Sequence, residues 1–325
     1  MSTITTNIDE AIIELKAGNL VAIPTETVYG LAGNAEDKEA ILKIFTLKNR
    51  PLNHPLIMHV AANCDLTRWV GNIPSYAQKL IDAFWPGPLT IVFNCKPGSV
   101  NPLVTGGQST VAIRCPKHPM AQALLAAVKF PLVAPSANPF GKISPTTACH
   151  VQHSFGNQPL LILDGGRCEV GIESTIVAAT DPDHYQILRH GIIDEQIIET
   201  TIAIDALKND SKIRVSGRLL THYQPEKPLY CFATNDELKQ LLNLYPQAYI
   251  FSFNDHLNIN NAFHYQFPLN AKQVAYELYY QLRCADESEA STILVELPPT
   301  KKSWEGVKER LLKMVNQPDA KTKIE

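Results

Sequence analysis

The sequence lacks several features that would place it in a familiar class of protein. The 325-residue chain has no run of 18 apolar residues, and no basic segment followed by an apolar one opens its N-terminus. Neither a membrane span nor a secretory signal is therefore expected. The seven cysteines are odd in number and form no C-x-x-C pair, which argues against a disulfide framework or a zinc ribbon. We expect a cytoplasmic protein whose thiols stay reduced.

Charge is scarce as well. Only 19% of the residues are charged and the formal net charge is -3, so the chain is not the strongly basic kind whose main ligand is nucleic acid. The Walker A pattern and the G-x-G-x-x-G fingerprint are both absent, which argues against a P-loop or a Rossmann dinucleotide site. The hydrophobic fraction of 45% is enough for a sizeable core, and the length suits two domains.

The order of strand-like and helix-like segments predicts the domain boundaries of the chain. Strand and helix patterns alternate up to about residue 200, and this order predicts an α/β or α+β domain with a mixed sheet over residues 1–206. Residues 207–228 have little hydrophobic period and end among prolines, which predicts an interdomain linker. A new series of alternating patterns over residues 229–325 predicts a small Rossmann-like α/β domain.

Polar side chains stand where several of these predicted strands end. Ligands of α/β sheets bind beyond the carboxyl ends of the strands, so residues at those positions are candidates for a site. They are Thr25, Glu26 and Thr27 after "LVAIP", His59 in "PLIMHV", Thr110 and Arg114 in "TVAIRC", Ser136 and Asn138 after "LVAP", and Ser174 in "GIESTIV". Each taken alone is explained as a turn residue, a cap or a core histidine. Only the whole set indicates a binding site.

Basic residues accompany the same positions. Lys48 and Arg50 end a predicted helix, Arg114 interrupts an apolar strand and Arg189 ends another. Burying such cations is costly unless an anion meets them. One alternative is an internal salt bridge to Glu26 or Glu173; the other is a polyphosphate or carboxylate ligand. No spacing of metal-ligating residues supports a protein-bound catalytic metal, and His150 and His153 fit a polar helix face.

Six ordered blocks of the sequence resemble one known family. They are "PTETVYGL", "KNRP" with "HPLIMH", "STVAIRCP", "APSANPFGKISPT", "GIESTIV" and "ILRHG". The blocks lie between residues 24 and 191, and the resemblance covers residues 8 to about 200. The chain resembles the Sua5/YrdC/YwlC family of threonylcarbamoyl-adenylate synthases, in its longer Sua5 form. The resemblance implies a YrdC-like twisted mixed-sheet domain, a linker, and a small Rossmann-like α/β/α Sua5 domain. It also implies that L-threonine, bicarbonate or CO2, and ATP give threonylcarbamoyl-AMP and pyrophosphate.

The resemblance assigns roles to the matching positions. Thr27, His59, Arg114, Ala134 and Ser174 are expected to bind L-threonine. The residues expected to bind ATP are Arg50, His54, Thr110, Ser136, Asn138, Ser144, Arg189 and Tyr223. Lys48 and Arg50 are expected to be catalytic by neutralising phosphate charge, helped by Mg²⁺ that ATP carries. Three departures from the family pattern are His54 in place of asparagine, "RHG" in place of "RPG", and "VSGRLL" in the linker.

The resemblance also implies partners and leaves alternatives open. The product is expected to pass to the machinery that makes N6-threonylcarbamoyladenosine at tRNA position 37, with no membrane contact and no stable tRNA binding. The linker residue Tyr223 is expected either to dock on the domain surface or to cover the nucleotide as part of a lid. An RNA-binding translation or ribosome-maturation factor and a carbamoyltransferase-like enzyme remain competing interpretations, which acidity and the missing zinc-finger cysteines disfavour.

Overall fold

The computed structural model of the chain describes residues 1–207, 212–217, 222–253 and 263–316. Two β-sheets lie within these ranges. The strands of the first sheet are β1 (Thr3–Thr5), β2 (Val21–Ile23), β3 (Gly30–Asn34), β4 (Ile57–His59), β5 (Leu89–Asn94), β6 (Thr110–Arg114), β7 (Leu132–Val133), β8 (Leu161–Leu163), β9 (Thr175–Ala178) and β10 (Gln186–Arg189). Those of the second are β11 (Leu229–Phe232), β12 (Ala248–Ser252), β13 (His264–Gln266) and β14 (Thr292–Glu296).

Helices connect most of these strands. The first part of the chain contains α1 (Ile8–Lys16), α2 (Lys38–Lys48), α3 (Ser75–Phe84), α4 (Pro102–Thr105), α5 (Pro119–Val128), α6 (Ala148–Phe155) and α7 (Glu195–Ile202). The second part contains α8 (Asn235–Leu244), α9 (Ala271–Glu287) and α10 (Glu305–Met314). No helix of the described residues is long and apolar enough to cross a membrane.

The first sheet is mixed, as the sequence predicts. Its strand order is β1-β8-β2-β3-β7-β4-β6-β5-β9-β10, and parallel pairs such as β4 with β6 stand beside antiparallel pairs such as β5 with β6. Because neighbouring strands change direction, the ends of β4, β6 and β10 meet the beginnings of β5 and β9 at one edge. His59, Arg114, Thr90, Ile176 and Arg189 follow one another in register across that edge.

The second sheet is parallel throughout, in the order β11-β14-β12-β13. Its central strand β14 divides two apolar clusters, because alternate side chains of a strand point to opposite faces. Leu294 packs with Leu238 of α8 on one face, whereas Ile293 and Val295 pack with residues of α9 and α10 on the other. This layering agrees with the small α/β/α domain implied by the resemblance.

The core behind α9 and α10 extends into the first part of the chain. Val28, Ile143 and Ile172 belong to the same buried cluster as Leu278 of α9 and Leu311 of α10. An apolar contact of this kind is typical of a fixed interface between domains, since mobile domain interfaces are more polar. The two sheets therefore share a continuous packed core at the point where they meet.

Three strands of the structure were not predicted from the sequence. Strand β3 contains two glycines, which β-propensity disfavours. A Cβ on Gly33 would stand 3.0 Å from Leu20 and 3.1 Å from Ile44, so close packing against α2 explains the small residue there. Strands β1 and β13 are only three residues long and give no measurable alternation. Helix α7, within the predicted first domain, also went unpredicted.

Two neighbouring leucines of α10 allow a test of the interface core. Leu311 is fully buried in the shared cluster, whereas Leu312 is 50% exposed. We expect Leu311→Ala to lower the free energy of unfolding by ~2–5 kcal/mol, because the change removes buried methyl groups and leaves a cavity. Leu312→Ala should change the free energy by less than ~0.5 kcal/mol. Urea unfolding measures both, and equal losses would contradict this assignment of the core.

Candidate active site

A cleft lies at the edge of the first sheet where β4, β6 and β10 end. Buried and half-buried residues from distant parts of the sequence form its walls. They are Thr25, Thr27, Val28, Gly30, Lys48, Arg50, Ile57, His59, Arg114, Ala134, Pro135, Ser136, Asn138, Phe140, Gly141, Glu173, Arg189, Ser216, Gly217, His222 and Tyr223. The loop after β2, the C-terminal end of α2, the loop after β7 and the segment before β11 all contribute.

Local backbone structure places the cations at this cleft. Asp37 caps the beginning of α2, and Asn49 ends the helix in the left-handed conformation, with φ 51°. This turn separates Lys48, the last helical residue, from Arg50, so both buried side chains reach the same cleft. Strand ends place the other two cations, Arg114 and Arg189.

One corner of the cleft is built around Arg114. Its Nη1 donates to the hydroxyl of Thr27 at 2.8 Å. The hydroxyl of Thr25 donates to the carbonyl of Val28 at 2.6 Å, so the Thr27 hydroxyl must donate in the contact that joins the two threonines at 2.9 Å. The "PTETVYGL" loop therefore folds back on itself through Thr25 and holds Thr27 against the guanidinium.

Glu26 is the internal salt-bridge partner of Arg114. Oε1 of Glu26 lies 2.8 Å from Nη2 of Arg114, but the two atoms are not aligned for a hydrogen bond. Neither atom has another hydrogen-bond partner among the described residues. The alternative interpretation of a salt bridge is therefore correct for Arg114. It does not use the full hydrogen-bonding capacity of the guanidinium, because Nη2 can still donate to a ligand.

His59 lies beside this corner in a fixed neutral form. Its Nδ1 is 3.1 Å from the carbonyl of Ile57, which can only accept, so Nδ1 carries the proton and Nε2 is an acceptor. Burial, followed by the charge of Arg114, lowers the pKa of His59 to about 3. The side chain thus offers an acceptor, not a positive charge, at neutral pH.

The other three cations have only neutral oxygens as partners among the described residues. The Nζ of Lys48 donates to the carbonyls of Ser136 and Asn138. Arg50 donates to the carbonyl of Pro55 at 2.8 Å and to the hydroxyl of Ser216 at 3.0 Å. Such partners order a cation without neutralising it, so the site attracts anions.

Arg189 is held in the same way. It donates from Nε to the carbonyl of Ser174 at 3.0 Å, from Nη2 to the Ser174 hydroxyl at 3.1 Å, and from Nη1 to the carbonyl of Ser216 at 3.1 Å. No carboxylate lies within ion-pair distance of Lys48, Arg50 or Arg189 in the described part of the chain. Burial lowers the pKa of Arg50 to about 10, which leaves it charged at neutral pH.

Residues before β11 close the cleft from one side. Tyr223 is buried, and its ring lies 4.1 Å from that of His222 between centroids. The Tyr223 hydroxyl, His222 Nδ1 and Asn138 Oδ1 are buried and have no hydrogen-bond partner in the part of the chain that the structure describes. Orphaned buried polar atoms are rare in proteins. Their concentration here, together with those of Glu26 and Arg114, indicates that a polar ligand completes the site.

Comparison with known proteins agrees with this geometry. A family model described as "Telomere recombination", of the Sua5/YciO/YrdC group, matches residues 14–191, and one described as "Threonylcarbamoyl-AMP synthase, C-terminal domain" matches residues 192–314. The chain belongs to the Sua5 family. It is 36% identical over 326 residues to the threonylcarbamoyl-AMP synthase of Bacillus subtilis, covering 96% of this chain and 94% of the relative.

Further members of the family are similar in sequence and in structure. The threonylcarbamoyl-AMP synthase of Pyrococcus abyssi is 40% identical over 217 residues, which cover 65% of this chain and 63% of that protein. The crystal structure of P. abyssi Sua5 complexed with L-threonine superposes with a TM-score of 0.84 at 30% identity, over 97% of this chain and 98% of the other. Escherichia coli YciO, at 22% identity and a TM-score of 0.50, shares the fold over 59% of this chain.

Most of the residues predicted from the Sua5 resemblance meet in the cleft. Ten of them line it, namely Thr27, Lys48, Arg50, His59, Arg114, Ala134, Ser136, Asn138, Arg189 and Tyr223. His54, Thr110, Ser144 and Ser174 do not belong to the lining. Ser174 orients Arg189 from behind, Ser144 donates to Glu173 at 2.5 Å, His54 packs against Phe140, and Thr110 begins β6. The individual roles of all these residues remain predictions.

Other lining residues were not predicted as part of this Sua5 site. Phe140 lies 5.4 Å from the guanidinium carbon of Arg50, and Ser216 bonds both Arg50 and Arg189. Phe140 lies in the block "APSANPFGKISPT" and Ser216 in "VSGRLL", but the resemblance assigned a role to neither residue. His222 stands beside Tyr223 in "HYQP", so its neighbour could have identified it. Of the predicted linker, residues 208–211 and 218–221 lie outside the described residues.

The anion preference of the cleft is testable without an enzymatic assay. We expect Arg50→Ala to weaken the binding of inorganic tripolyphosphate roughly 10- to 150-fold, because a charge-assisted bond contributes ~1.5–3 kcal/mol. Isothermal titration calorimetry measures the affinity. Arg68→Ala is the matched control, since Arg68 is exposed and pairs with Glu36. Equal affinity for the wild type and both variants would show that Arg50 is structural.

The neutral state of His59 predicts a pH effect on stability. Its pKa is about 3 in the folded chain but near 6.5 when unfolded. Below about pH 6.5 the unfolded state therefore binds the extra proton, and stability falls as the pH drops toward about 3. His59→Gln should reduce the slope of the unfolding free energy between pH 5 and 6 by up to ~1.4 kcal/mol per pH unit. His153→Gln, at an exposed histidine, is the control and should leave the slope unchanged. If the wild type and both variants had the same slope, His59 would not be a buried neutral histidine.

Proposed function

We propose that this protein is an L-threonylcarbamoyladenylate synthase, which makes threonylcarbamoyl-AMP and pyrophosphate from L-threonine, bicarbonate or CO2, and ATP. The observation that carries the proposal is the juxtaposition of two unlike parts in one cleft. Lys48, Arg50 and Arg189 are buried cations without a carboxylate partner in the described chain. Beside them, Arg114, Thr27 and His59 form a smaller polar corner.

The corner around Arg114 suits L-threonine. Nη2 of Arg114 has no aligned acceptor among the described residues, so it can donate a charge-assisted hydrogen bond to a carboxylate. The acceptors Nε2 of His59 and Oε1 of Glu26 suit an amine or a hydroxyl. Membership of the Sua5 family supports this assignment, since the similar P. abyssi structure was determined with L-threonine.

The three unpaired cations suit the triphosphate of ATP. Lys48, Arg50 and Arg189 would spread positive charge over the phosphate oxygens, which is the main contribution that proteins make to nucleotidyl transfer. Among the described residues, no group of three His, Cys, Asp or Glu side chains is placed to hold a metal ion. We propose that Mg²⁺ arrives bound to the nucleotide, as part of the substrate.

The reaction needs positioning more than a protein nucleophile. The threonine amine forms a bond to carbon dioxide and loses a proton, giving a carbamate. A carbamate oxygen then forms a bond to the α-phosphorus of ATP, and the bond to the bridging oxygen breaks to release pyrophosphate. In this scheme Arg114 and His59 orient the amino acid, and Tyr223 excludes water from the reacting groups.

The product would then serve tRNA modification at adenosine 37. An RNA-binding factor would instead need an accessible basic surface, whereas the cations described above are buried in a cleft. A carbamoyltransferase-like enzyme would consume carbamoyl phosphate. Pyrophosphate release from ATP in the presence of L-threonine and bicarbonate distinguishes the three functions. Salt-sensitive RNA binding without ATP turnover would favour the RNA-binding factor.

Amino-acid specificity provides the test of the proposed substrate. We expect pyrophosphate release to require L-threonine and kcat/KM to fall roughly 5- to 150-fold with L-valine, because a buried polar group that loses its partner costs ~1–3 kcal/mol. L-Serine keeps the hydroxyl and serves as the control for the methyl group alone. Equal rates with threonine and valine would remove threonine as the specific substrate.

A further inference from the structure

A carboxylate of the cleft is held from the second domain. The side chain of Glu173 lines the cleft, and its Oε2 accepts from Nε of Arg310 at 3.0 Å and from the hydroxyl of Tyr279 at 2.9 Å. Its Oε1 accepts from Ser144 at 2.5 Å. Among the described residues, two of the three side-chain donors to this carboxylate thus come from α9 and α10.

The charges of this contact are well matched. Burial alone would raise the pKa of Glu173, but the guanidinium groups of Arg310 and Arg189 and the Ser144 hydroxyl lower it to about 2. Burial likewise opposes the charge of Arg310, and the groups around it raise its pKa nonetheless. Both side chains therefore stay ionised at neutral pH.

The ion pair between Glu173 and Arg310 is not needed to hold the two domains together. Replacing a buried ion pair with apolar side chains is often neutral or stabilising, and the shared apolar cluster already joins the two domains. The ion pair instead fixes the orientation of the groups it contacts, because Arg310 is fully buried and its guanidinium donors have a fixed geometry. Its role is to be sought in the groups that it orients.

Those groups flank Arg189, one of the three cations without a carboxylate. On one side Glu173 precedes Ser174, whose carbonyl and hydroxyl hold the guanidinium. On the other side Nη1 of Arg310 donates to the carbonyl of His190 at 2.5 Å. The N–H of His190 donates to Glu309 at 2.8 Å, a bond that proline at this position would not make. Helix α10 therefore fixes the backbone on both sides of Arg189.

The same two helices also contact Tyr223. The guanidinium carbon of Arg310 lies 5.4 Å from the centroid of the Tyr223 ring, and the ring of Tyr279 lies 5.9 Å away. The carbonyl of Lys313 accepts from the N–H of His222 at 3.0 Å. The segment that closes the cleft is thus seated on the second domain.

Close backbone contacts show that this seating is tight. A Cβ on Gly171 would stand 2.3 Å from the carbonyl oxygen of Ala275 in α9, and one on Gly306 would stand 2.7 Å from that of Gly191. The loop that carries Glu173 and the turn that follows Arg189 therefore pack directly against the two helices.

We propose that Arg310 and Tyr279 of the second domain are positioning residues for catalysis in the first. Through Glu173 they hold Arg189 and Tyr223 in the arrangement that receives the triphosphate. The second domain then helps to shape the active site of the first domain. The kinetic test of this inference rests on the proposed function. The binding test, which measures tripolyphosphate affinity, rests only on the anion-binding cleft.

Tyr279→Phe is the most conservative test, since it deletes one hydroxyl. In the full chain we expect kcat for pyrophosphate release to fall roughly tenfold while KM for L-threonine stays within about a factor of two, because a small misplacement of a charge-bearing group acts on the chemical step. Tripolyphosphate affinity should fall by a similar factor. Tyr280→Phe is the matched control on the same helix, because the Tyr280 ring lies against Arg167 and His150 and its loss should change neither quantity.

A pair of variants separates positioning from folding. Arg310→Met leaves Glu173 buried without its ion-pair partner, so it should lower the melting temperature. Combining it with Glu173→Gln removes both charges and should restore the melting temperature toward that of the wild type. If the ion pair positions Arg189, kcat and tripolyphosphate affinity stay low in the double variant although its fold has recovered.

The outcomes distinguish this inference from the proposed function. Threonine-dependent turnover that is unaltered in Tyr279→Phe and in the double variant would overturn the positioning role and leave the proposed function standing. A wild-type protein without that turnover would overturn the function. In that case, unaltered tripolyphosphate affinity in the variants would overturn the positioning role, and a selective loss of affinity would support it.

Discussion

Four cationic side chains are buried at one edge of a mixed sheet, and the cost of removing them from water constrains the structure around them. Three of them are solvated by backbone carbonyls and hydroxyls of the protein instead of by carboxylates. Carbonyls can do this only if the loops that carry them point inward. The loop after β7 and Ser216 therefore lie against the cations.

The positive charge of the cleft also depends on which cations its two carboxylates pair with. Glu26 faces Arg114, and Glu173, which is close enough to influence Arg189, makes its ion pair with Arg310 outside the first domain. Had Glu173 paired with Arg189, the site would have lost a charge available to phosphate. A carboxylate can thus be present in an anion site without neutralising it, provided that another cation holds it.

The sequence divides the chain into two domains, but the two domains share one buried apolar cluster. The first sheet and the second are separate, yet residues from both contribute to one buried apolar cluster. Tyr223 belongs to that cluster and also lines the cleft. Packed side chains and directed hydrogen bonds therefore connect the second domain to residues of the cleft.

The sequence by itself predicted most strands and helices of both domains and a mixed first sheet, because hydrophobic periodicity reports local burial. It also indicated eleven residues of the cleft, Thr25 through its place at a strand end and ten others through the family's motifs. Strand β3 escaped prediction because its glycines are required by α2, which is a contact between elements.

Only the tertiary structure decided which carboxylate pairs with which arginine. Glu173 and Arg310 are 137 positions apart, and nothing in either local pattern indicates the other. The same holds for Tyr279, which on sequence grounds is one of several tyrosines of a helix. Ion pairs and hydrogen bonds act over a few ångströms, so their partners are set by the packing of distant segments and not by the residues that adjoin them in the chain.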